Sequence, residues 1–258
     1  MIIGAQLYTL RDYTQTEKDI AYTLQRVASM GYRSVHCSTL GPIAPEKLRD
    51  LLDQNGLTCA ITHIAPHRLL NDLPAVIREH QILGCNNIGL SIMPEQYRGS
   101  LEGLRAFKRN FAAVVHQIED AGMHFHYHNH DVEFIREGKQ TLLDILLEEM
   151  PDVHLLLCAF WAQVAGANPL ELLDRYANRI EVIHLKDMAV YPGSKSIGDR
   201  RMMVPVLEGN MNYEAILAKC NRIPTLTHAL VEQDICQGNP FACMQTSLRN
   251  IEALGYHA

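Results

Sequence analysis

The sequence predicts a single α/β domain, a (β/α)8 TIM barrel covering residues 1–258. The chain has 258 residues, close to the roughly 250 of one such barrel. Short β-rich runs alternate with longer helical runs, the pattern of parallel strands joined by helices. No G-x-G-x-x-G follows the first β-rich run, so a dinucleotide-binding sheet has little support. Hydrophobic residues make up 47% of the chain, enough for an extensive core.

Eight β-rich runs supply the predicted strands. They cover residues 2–8, 34–37, 58–63, 87–92, 124–130, 154–158, 180–185 and 227–232. The even spacing of these runs favours a closed barrel over an open sheet, which seldom reaches eight strands without insertions.

Helices are predicted between these runs, and their ends carry recognisable signals. The clearest cover residues 17–30, 45–55, 72–83 and 101–121, each followed at once or within a residue by a glycine that can end a helix in left-handed geometry. Asn168-Pro169 and Asn239-Pro240 each place an N-cap side chain before a proline at the first helical position. Residues 189–212 are predicted to be a long irregular loop over the top of the barrel.

Charge and composition exclude several classes of protein. The formal net charge is −6, which disfavours nucleic-acid binding through an overall basic surface. No run approaches the roughly 18 apolar residues of a membrane span, and the first residues lack a signal-peptide pattern, so a cytoplasmic location is expected. Seven cysteines without a C-x-x-C pair indicate reduced, buried thiols rather than a disulfide framework.

Polar residues gather at the predicted strand ends, where barrel enzymes carry their active sites. They are Tyr8, His36, His63, Ser91, His128, His130, Cys158, His184, Lys186 and Glu232. Alternation along a strand puts His184 and Lys186 on one face. Several such groups at one barrel mouth indicate a divalent metal or a polar substrate, because each would otherwise be buried at a cost.

The remaining histidines are assigned to other roles. His80, His116 and His257 lie on predicted helices or at the chain end and are expected to be solvated. Four others lie low or midway in their strands, where a structural role is expected: His124, His126, His154 and His228.

Over nearly its whole length the chain resembles the sugar phosphate isomerase/epimerase family of xylose-isomerase-like barrels. The motifs that carry the resemblance are GAQLYTLRD, MGYRSV, LRDLLDQNGL, HNHDVEF, FWAQVAGANP, VIHLKDM and VEQDICQGNPF, in that order.

The resemblance implies a divalent cation held by two glutamates, an aspartate and a histidine. Carried over by motif, the ligands are Glu133, Cys158, His184 and Glu232, with His128 as the alternative to Glu133. Cys158 stands where relatives have aspartate, and its thiol favours Zn²⁺ over the Mn²⁺ or Mg²⁺ that oxygen-rich sites prefer. His36 likewise stands where relatives usually have glutamate.

The expected reaction is isomerisation or epimerisation of a small sugar by proton transfer next to a carbonyl. Glu133 and Glu232 would be the acid/base pair. The residues expected to bind substrate are His63, His128, His130, Trp161 and Lys186.

Two alternatives remain open. The same chemistry can expel a leaving group, as in a lyase or dehydratase acting on a keto-inositol or a 3-keto-glycoside. A non-catalytic carbohydrate-binding barrel is the other, because Cys158 and His36 replace carboxylates. Barrels of the resembled family are often oligomeric, so a homo-oligomer is a further expectation.

Overall fold

The computed structural model describes residues 1–193 and 200–258 and contains a closed barrel of eight parallel strands surrounded by helices. The predicted fold class is confirmed. The described strands are β1 Ile2–Gln6, β2 Ser34–Cys37, β3 Thr58–His63, β4 Asn87–Leu90, β5 His124–His128, β6 Arg136–Glu137, β7 Gln140–Thr141, β8 Val153–Cys158, β9 Val182–Leu185, β10 Asp187–Val190, β11 Arg201–Val204 and β12 His228–Val231.

Helices follow the barrel strands along the chain. The described α-helices are α1 Glu17–Met30, α2 Pro45–Gln54, α3 Pro66–Asn71, α4 Leu73–Leu83, α5 Leu101–Asp120, α6 Leu142–Glu149, α7 Ala159–Val164, α8 Pro169–Arg175, α9 Tyr213–Cys220 and α10 Pro240–Glu252. Short 3-10 helices cover Leu7–Tyr13, Glu95–Tyr97, Val132–Phe134 and Ala177–Arg179. None of the described helices is long and apolar enough to span a membrane.

The strand order around the barrel is β1, β12, β9, β8, β5, β4, β3 and β2, and β2 pairs with β1 to close it. In this register Cys158 of β8 is the partner of His184 of β9, which in turn pairs with Leu230 of β12. Because successive side chains point to opposite faces of a strand, paired residues lie on the same face of the sheet.

A small hydrophobic core fills the inside of the barrel, apart from the larger one between strands and helices. Its members are Ala60, Ile61, Leu156, Val182 and Leu230. Two residues further along three of these strands come Cys158, His184 and Glu232, all buried. The alternation of a strand therefore places these three polar groups directly above an apolar floor.

Capping residues define several helices where the sequence predicts them. Thr16 precedes α1 and its hydroxyl accepts a hydrogen bond from the Asp19 backbone N–H, while Gly31 ends the helix with φ +116°. Asn168 and Asn239 cap α8 and α10 through their side-chain oxygens, each before a proline.

Several strands end earlier than predicted, and in two of them side chains take over the backbone pairing. β1 stops at Gln6, whose side-chain oxygen accepts from the Tyr8 backbone N–H and starts a 3-10 helix. β5 stops at His128, because the Asn129 side chain bonds to the backbone of Cys158 instead.

The predicted irregular loop 189–212 is partly wrong, since β10 and β11 pair there as an antiparallel ladder. Residues 194–199 of that stretch lie outside the described residues. The buried carboxylate of Asp187 holds the returning chain by accepting from the backbone N–H groups of Leu207, Gly209 and Met211.

The prediction that His80 is solvated is wrong, because its ring is 1% exposed. Nδ1 donates to the Val76 carbonyl at 2.7 Å, and Nε2 lies 2.7 Å from the Thr62 hydroxyl. His80 thus joins α4 to β3, whereas His116 is exposed as predicted.

Candidate active site and metal centre

A cavity of about 340 Å³ opens at the carboxyl ends of the barrel strands. All five residues predicted to bind substrate line it together with Glu232: His63, His128, His130, Trp161 and Lys186. Its wall also includes Asp234, Tyr8 and Ser38. A concave site lined by a few convergent polar groups is where a small-molecule site is expected.

Glu232 is the buried anion at the centre of this site. Its Oε2 lies 2.9 Å from Nδ1 of His184 and 3.0 Å from Nζ of Lys186. Burial alone would raise the pKa of this carboxyl, but Lys186 and His184 outweigh it and lower the pKa. Glu232 is therefore held ionised although it is almost fully buried.

Lys186 is shared between two carboxylates. Besides Glu232, its Nζ donates to Asp234 at 2.8 and 2.9 Å. Burial works against its charge, yet Glu232, Cys158 and Asp234 together raise the pKa of Lys186. Burial and the charge of Glu232 raise the pKa of Asp234. The Glu232 carboxylate is thus strongly ionised, whereas the Asp234 carboxylate is more easily protonated.

The His184 ring is oriented by a chain of hydrogen bonds. The Gln6 amide donates to Nδ1 of His36 at 2.9 Å, so that nitrogen is an acceptor. It lies 3.1 Å from Nε2 of His184, which must therefore carry the proton. Nδ1 of His184 faces Oε2 of Glu232 at 2.9 Å, and among the described residues this nitrogen makes no contact with hydrogen-bond geometry.

A hydrogen bond also orients the ring of His128. Its Nδ1 lies 3.0 Å from the Ser91 carbonyl and donates to it, which leaves the buried Nε2 without a partner. His128, Cys158 and His184 offer ligand atoms that all lie within 4.8 Å of one another. A carbonyl bound to the far nitrogen is the usual support for a metal-ligating histidine.

These donors fit a divalent cation. A cation held by His128, Cys158 and His184 would give the buried Nε2 of His128, which has no hydrogen-bond partner among the described residues, a partner. The ionised Glu232 carboxylate lies beside His184 and would balance the charge. Burial raises the pKa of the Cys158 thiol to about 12, so the thiolate needs such a cation to form. Nitrogen and sulfur donors favour Zn²⁺ or a similar ion over Mg²⁺.

His63 completes the inner wall of the cavity. Burial, with His184 nearby, lowers the pKa of His63 to about 3, and burial with Lys186 lowers that of His130 to about 4. Both rings are neutral at neutral pH. Gly89 leaves room for His63, because a Cβ there would lie 2.9 Å from its ring and 2.5 Å from the Thr62 carbonyl oxygen.

Trp161 and His130 form the opposite wall. Their ring centroids lie 5.4 Å apart, and Lys186 Nζ is 5.7 Å from the Trp161 ring. An aromatic face beside polar groups suits the apolar face of a sugar ring.

Glu133, which the sequence assigns to catalysis and to the metal, does not line this cavity. The 3-10 turn Val132–Phe134 directs its side chain back toward β5. One oxygen accepts from the Tyr127 hydroxyl at 2.6 Å and the other from the His130 backbone N–H at 2.7 Å. Its position supports the segment that carries His130, while His128 stands beside Cys158 and His184.

Sequence reasoning misses two supporting residues. Asp234 holds Lys186, and the alternation from Glu232 onward in VEQD could have indicated it. Gln6 acts through His36 across the paired strands β1 and β2. No local sequence signal marks that contact.

Comparison with known proteins gives the family context. The family model described as "Xylose isomerase-like TIM barrel" matches residues 24–233. An inosose dehydratase from Geobacillus kaustophilus is 37% identical over 75 residues, which are 29% of this chain and 24% of that protein. The matched part thus spans about a quarter of the length of that curated relative.

Solved structures share the fold over nearly the whole chain. A sugar phosphate isomerase/epimerase from Parabacteroides distasonis superposes with a TM-score of 0.75 at 20% identity, covering 97% of each chain. A probable 3-DHS dehydratase involved in petrobactin synthesis from Bacillus anthracis has a TM-score of 0.74 at 15% identity, covering 98% of this chain and 99% of the other.

Proposed function

The chain belongs to the family of xylose isomerase-like TIM barrels, and we propose that it is an enzyme acting on a sugar or a cyclic polyol. It moves a proton at a carbon next to a carbonyl group, the chemistry shared by isomerases, epimerases and dehydratases. The observation that carries this proposal is the buried Glu232 carboxylate, ionised between Lys186 and His184 in a cavity of substrate size.

The chain's own residues divide the work. Glu232 accepts the proton from the carbon, and the bonding electrons move into a carbon–carbon double bond to form an enolate. The Lys186 ammonium lies beside the developing oxyanion and stabilises its charge. His63 and His130, as neutral rings, hydrogen-bond to substrate oxygens, and Trp161 covers the ring face.

A divalent ion would be held by His128, Cys158 and His184, with the Glu232 carboxylate beside His184. When bound, such an ion supplies Lewis-acid stabilisation of negative charge on substrate oxygens.

Between the possible outcomes we propose dehydration, the alternative raised by the sequence. Glu232 and Asp234 contact the same Lys186 ammonium, so both carboxylates lie on one side of the cavity. Elimination needs only one side. Glu232 removes a proton, and the enolate expels the hydroxyl on the next carbon. Asp234, whose pKa burial and Glu232 raise, would in its protonated form give that hydroxyl its proton so that water leaves. The inosose dehydratase match is consistent with this outcome.

Isomerisation or epimerisation is the second candidate, with neutral His130 or His128 as the acid/base group on the far side. A keto-inositol and a ketohexose, each incubated with the Zn²⁺-loaded or Mn²⁺-loaded enzyme in D₂O, separate the two. Dehydration yields an unsaturated product lighter by one water, whereas epimerisation yields a deuterated isomer of unchanged composition.

The control is Glu232→Gln, which keeps the shape of the side chain and removes its base. Absence of deuterium exchange into every keto-sugar tested, with tight sugar binding by wild type, would overturn the enzyme proposal in favour of a carbohydrate-binding barrel.

A further inference from the structure

A second histidine cluster lies at the opposite end of the barrel, where the strands begin. His124 starts β5, His154 is the second residue of β8, and Glu119 is near the end of α5. Their ligand atoms all lie within 4.8 Å of one another. The proposed function uses none of these three residues.

The two rings face each other closely. Nδ1 of His124 lies 2.9 Å from Nε2 of His154, so the pair shares one proton in the absence of a cation. Two nitrogens bound to one tetrahedral Zn²⁺ at about 2.0–2.1 Å would lie roughly 3.3 Å apart. A small increase in the distance between these two nitrogens is enough to admit an ion.

Glu181, just before β9, acts as an orienting carboxylate. Its Oε1 lies 3.2 Å from Nδ1 of His154, and its Oε2 lies 3.5 Å from Nε2 of the buried His126. The same Oε1 lies 3.5 Å from Nδ1 of His124, so the Glu181 carboxylate faces both rings. A proton on Nδ1 of His154, the nitrogen nearest Glu181, leaves Nε2 with its lone pair toward His124.

The cluster is also accessible from solvent. The His124 side chain is 39% exposed and that of His154 is 17% exposed. An ion can therefore enter without opening the barrel.

We propose that His124, His154 and Glu119 form a second site for a divalent transition-metal ion of the Zn²⁺ class, with Glu181 orienting His154. The site ties the end of α5 to the starts of β5 and β8. In barrels of this type the end where strands begin contributes to stability rather than to catalysis. Occupancy of this site raises the thermal stability of the chain and leaves turnover unchanged.

Co²⁺ and Zn²⁺ titrations of the full-length protein test the proposal, because the two sites have different donors. Co²⁺ at the Cys158 end gives a thiolate-to-metal charge-transfer absorption, and Co²⁺ at the His124 end gives none. Wild type is expected to bind a Zn²⁺ equivalent that survives Cys158→Ser, as measured by calorimetry and by a rise in Tm.

In the Cys158→Ser background, His154→Gln is expected to lower the Zn²⁺ affinity of the remaining equivalent by more than about 100-fold. Glu181→Gln, which removes only the orienting charge, should lower it by about 10–100-fold. Glu119→Gln gives a second ligand variant if His154→Gln is poorly folded.

His116→Gln is the matched control, because His116 is exposed and lies 3.6 Å from Asp120, outside the cluster. It should change neither affinity nor the Tm rise. The proposal is overturned if Cys158→Ser binds no Zn²⁺, or if His154→Gln and Glu119→Gln both bind it as tightly as their parent.

Discussion

The Lys186 ammonium lies 3.0 Å from the Glu232 carboxylate, and both side chains are almost fully buried. The pair sets the charge of the candidate active site, since Lys186 is the strongest influence lowering the pKa of Glu232 against its burial. Breaking a buried pair by removing one partner typically costs about 3–5 kcal/mol.

Lys186→Met should therefore raise the pKa of Glu232. Glu232 accepts a proton only when ionised, so its activity is lost as pH falls through that pKa. The acid limb of kcat/KM should move to higher pH in the variant, together with a loss of about 3 kcal/mol in the free energy of unfolding. Lys108→Met, which removes a partly exposed partner of Glu149, is the control and should leave the pH profile in place.

Glu232→Gln and Glu133→Gln should have different effects although each replaces a buried glutamate. Glu232→Gln should remove turnover and, because it breaks the buried pair with Lys186, lose about 3–5 kcal/mol of stability while the circular dichroism shows an unchanged fold. Glu133→Gln should keep most of the turnover and lose about 1–3 kcal/mol of stability, because its oxygens only accept from Tyr127 and the His130 backbone. Loss of turnover in a stably folded Glu133→Gln variant would return Glu133 to the mechanism.

Cys158→Asp should change which metal the protein retains. Replacing the thiol by an oxygen ligand should shift the metal content of protein purified from mixed-metal medium from Zn²⁺ toward Mn²⁺ or Mg²⁺. Cys220→Ser alters a thiol that is equally buried but outside the cluster of His128, Cys158 and His184, and its metal content should match wild type. Identical metal selectivity in Cys158→Asp and wild type would show that the thiol does not determine which metal binds.

His80→Gln should flatten the dependence of stability on pH. Burial lowers the pKa of His80 in the folded chain, whereas in the unfolded chain it is about 6.5. Below about pH 6.5 the unfolded chain therefore binds more protons than the folded chain. The free energy of unfolding falls as the pH falls, until the pH reaches the pKa of His80 in the folded chain.

In urea unfolding between pH 7 and pH 5, the His80→Gln variant should lose less stability than wild type. At pH 7 it should start about 1–3 kcal/mol lower, since Val76 and Thr62 lose their partner. His116→Gln should keep the wild-type slope, because that ring is exposed.

The sequence predicts the barrel well because each element has a local cause. The alternation of Val182, His184 and Lys186, the Thr16 cap and the glycine after α1 all act within a few residues. His184 and Glu232 are brought together as expected for the same reason, since each continues the inward face of its strand.

What the sequence does not predict depends on distant contacts. Gln6 orients His184 only through His36, and His80 is buried because β3 places Thr62 beside it. Glu133 lies outside the cavity because a single 3-10 turn redirects its side chain, and the sequence carries no signal for that direction.

Because Cys158 pairs with His184 in the adjacent strand, the site is sensitive to the number of residues in β8 and β9. Deleting one residue within β8 or β9 would turn one of the two side chains outward against the helices and replace it with an apolar neighbour. Substitutions in the loops outside the barrel leave this alignment intact. Variation in this protein is therefore expected to accumulate as loop insertions and point substitutions. Deletions of a single residue are expected to be absent from these two strands.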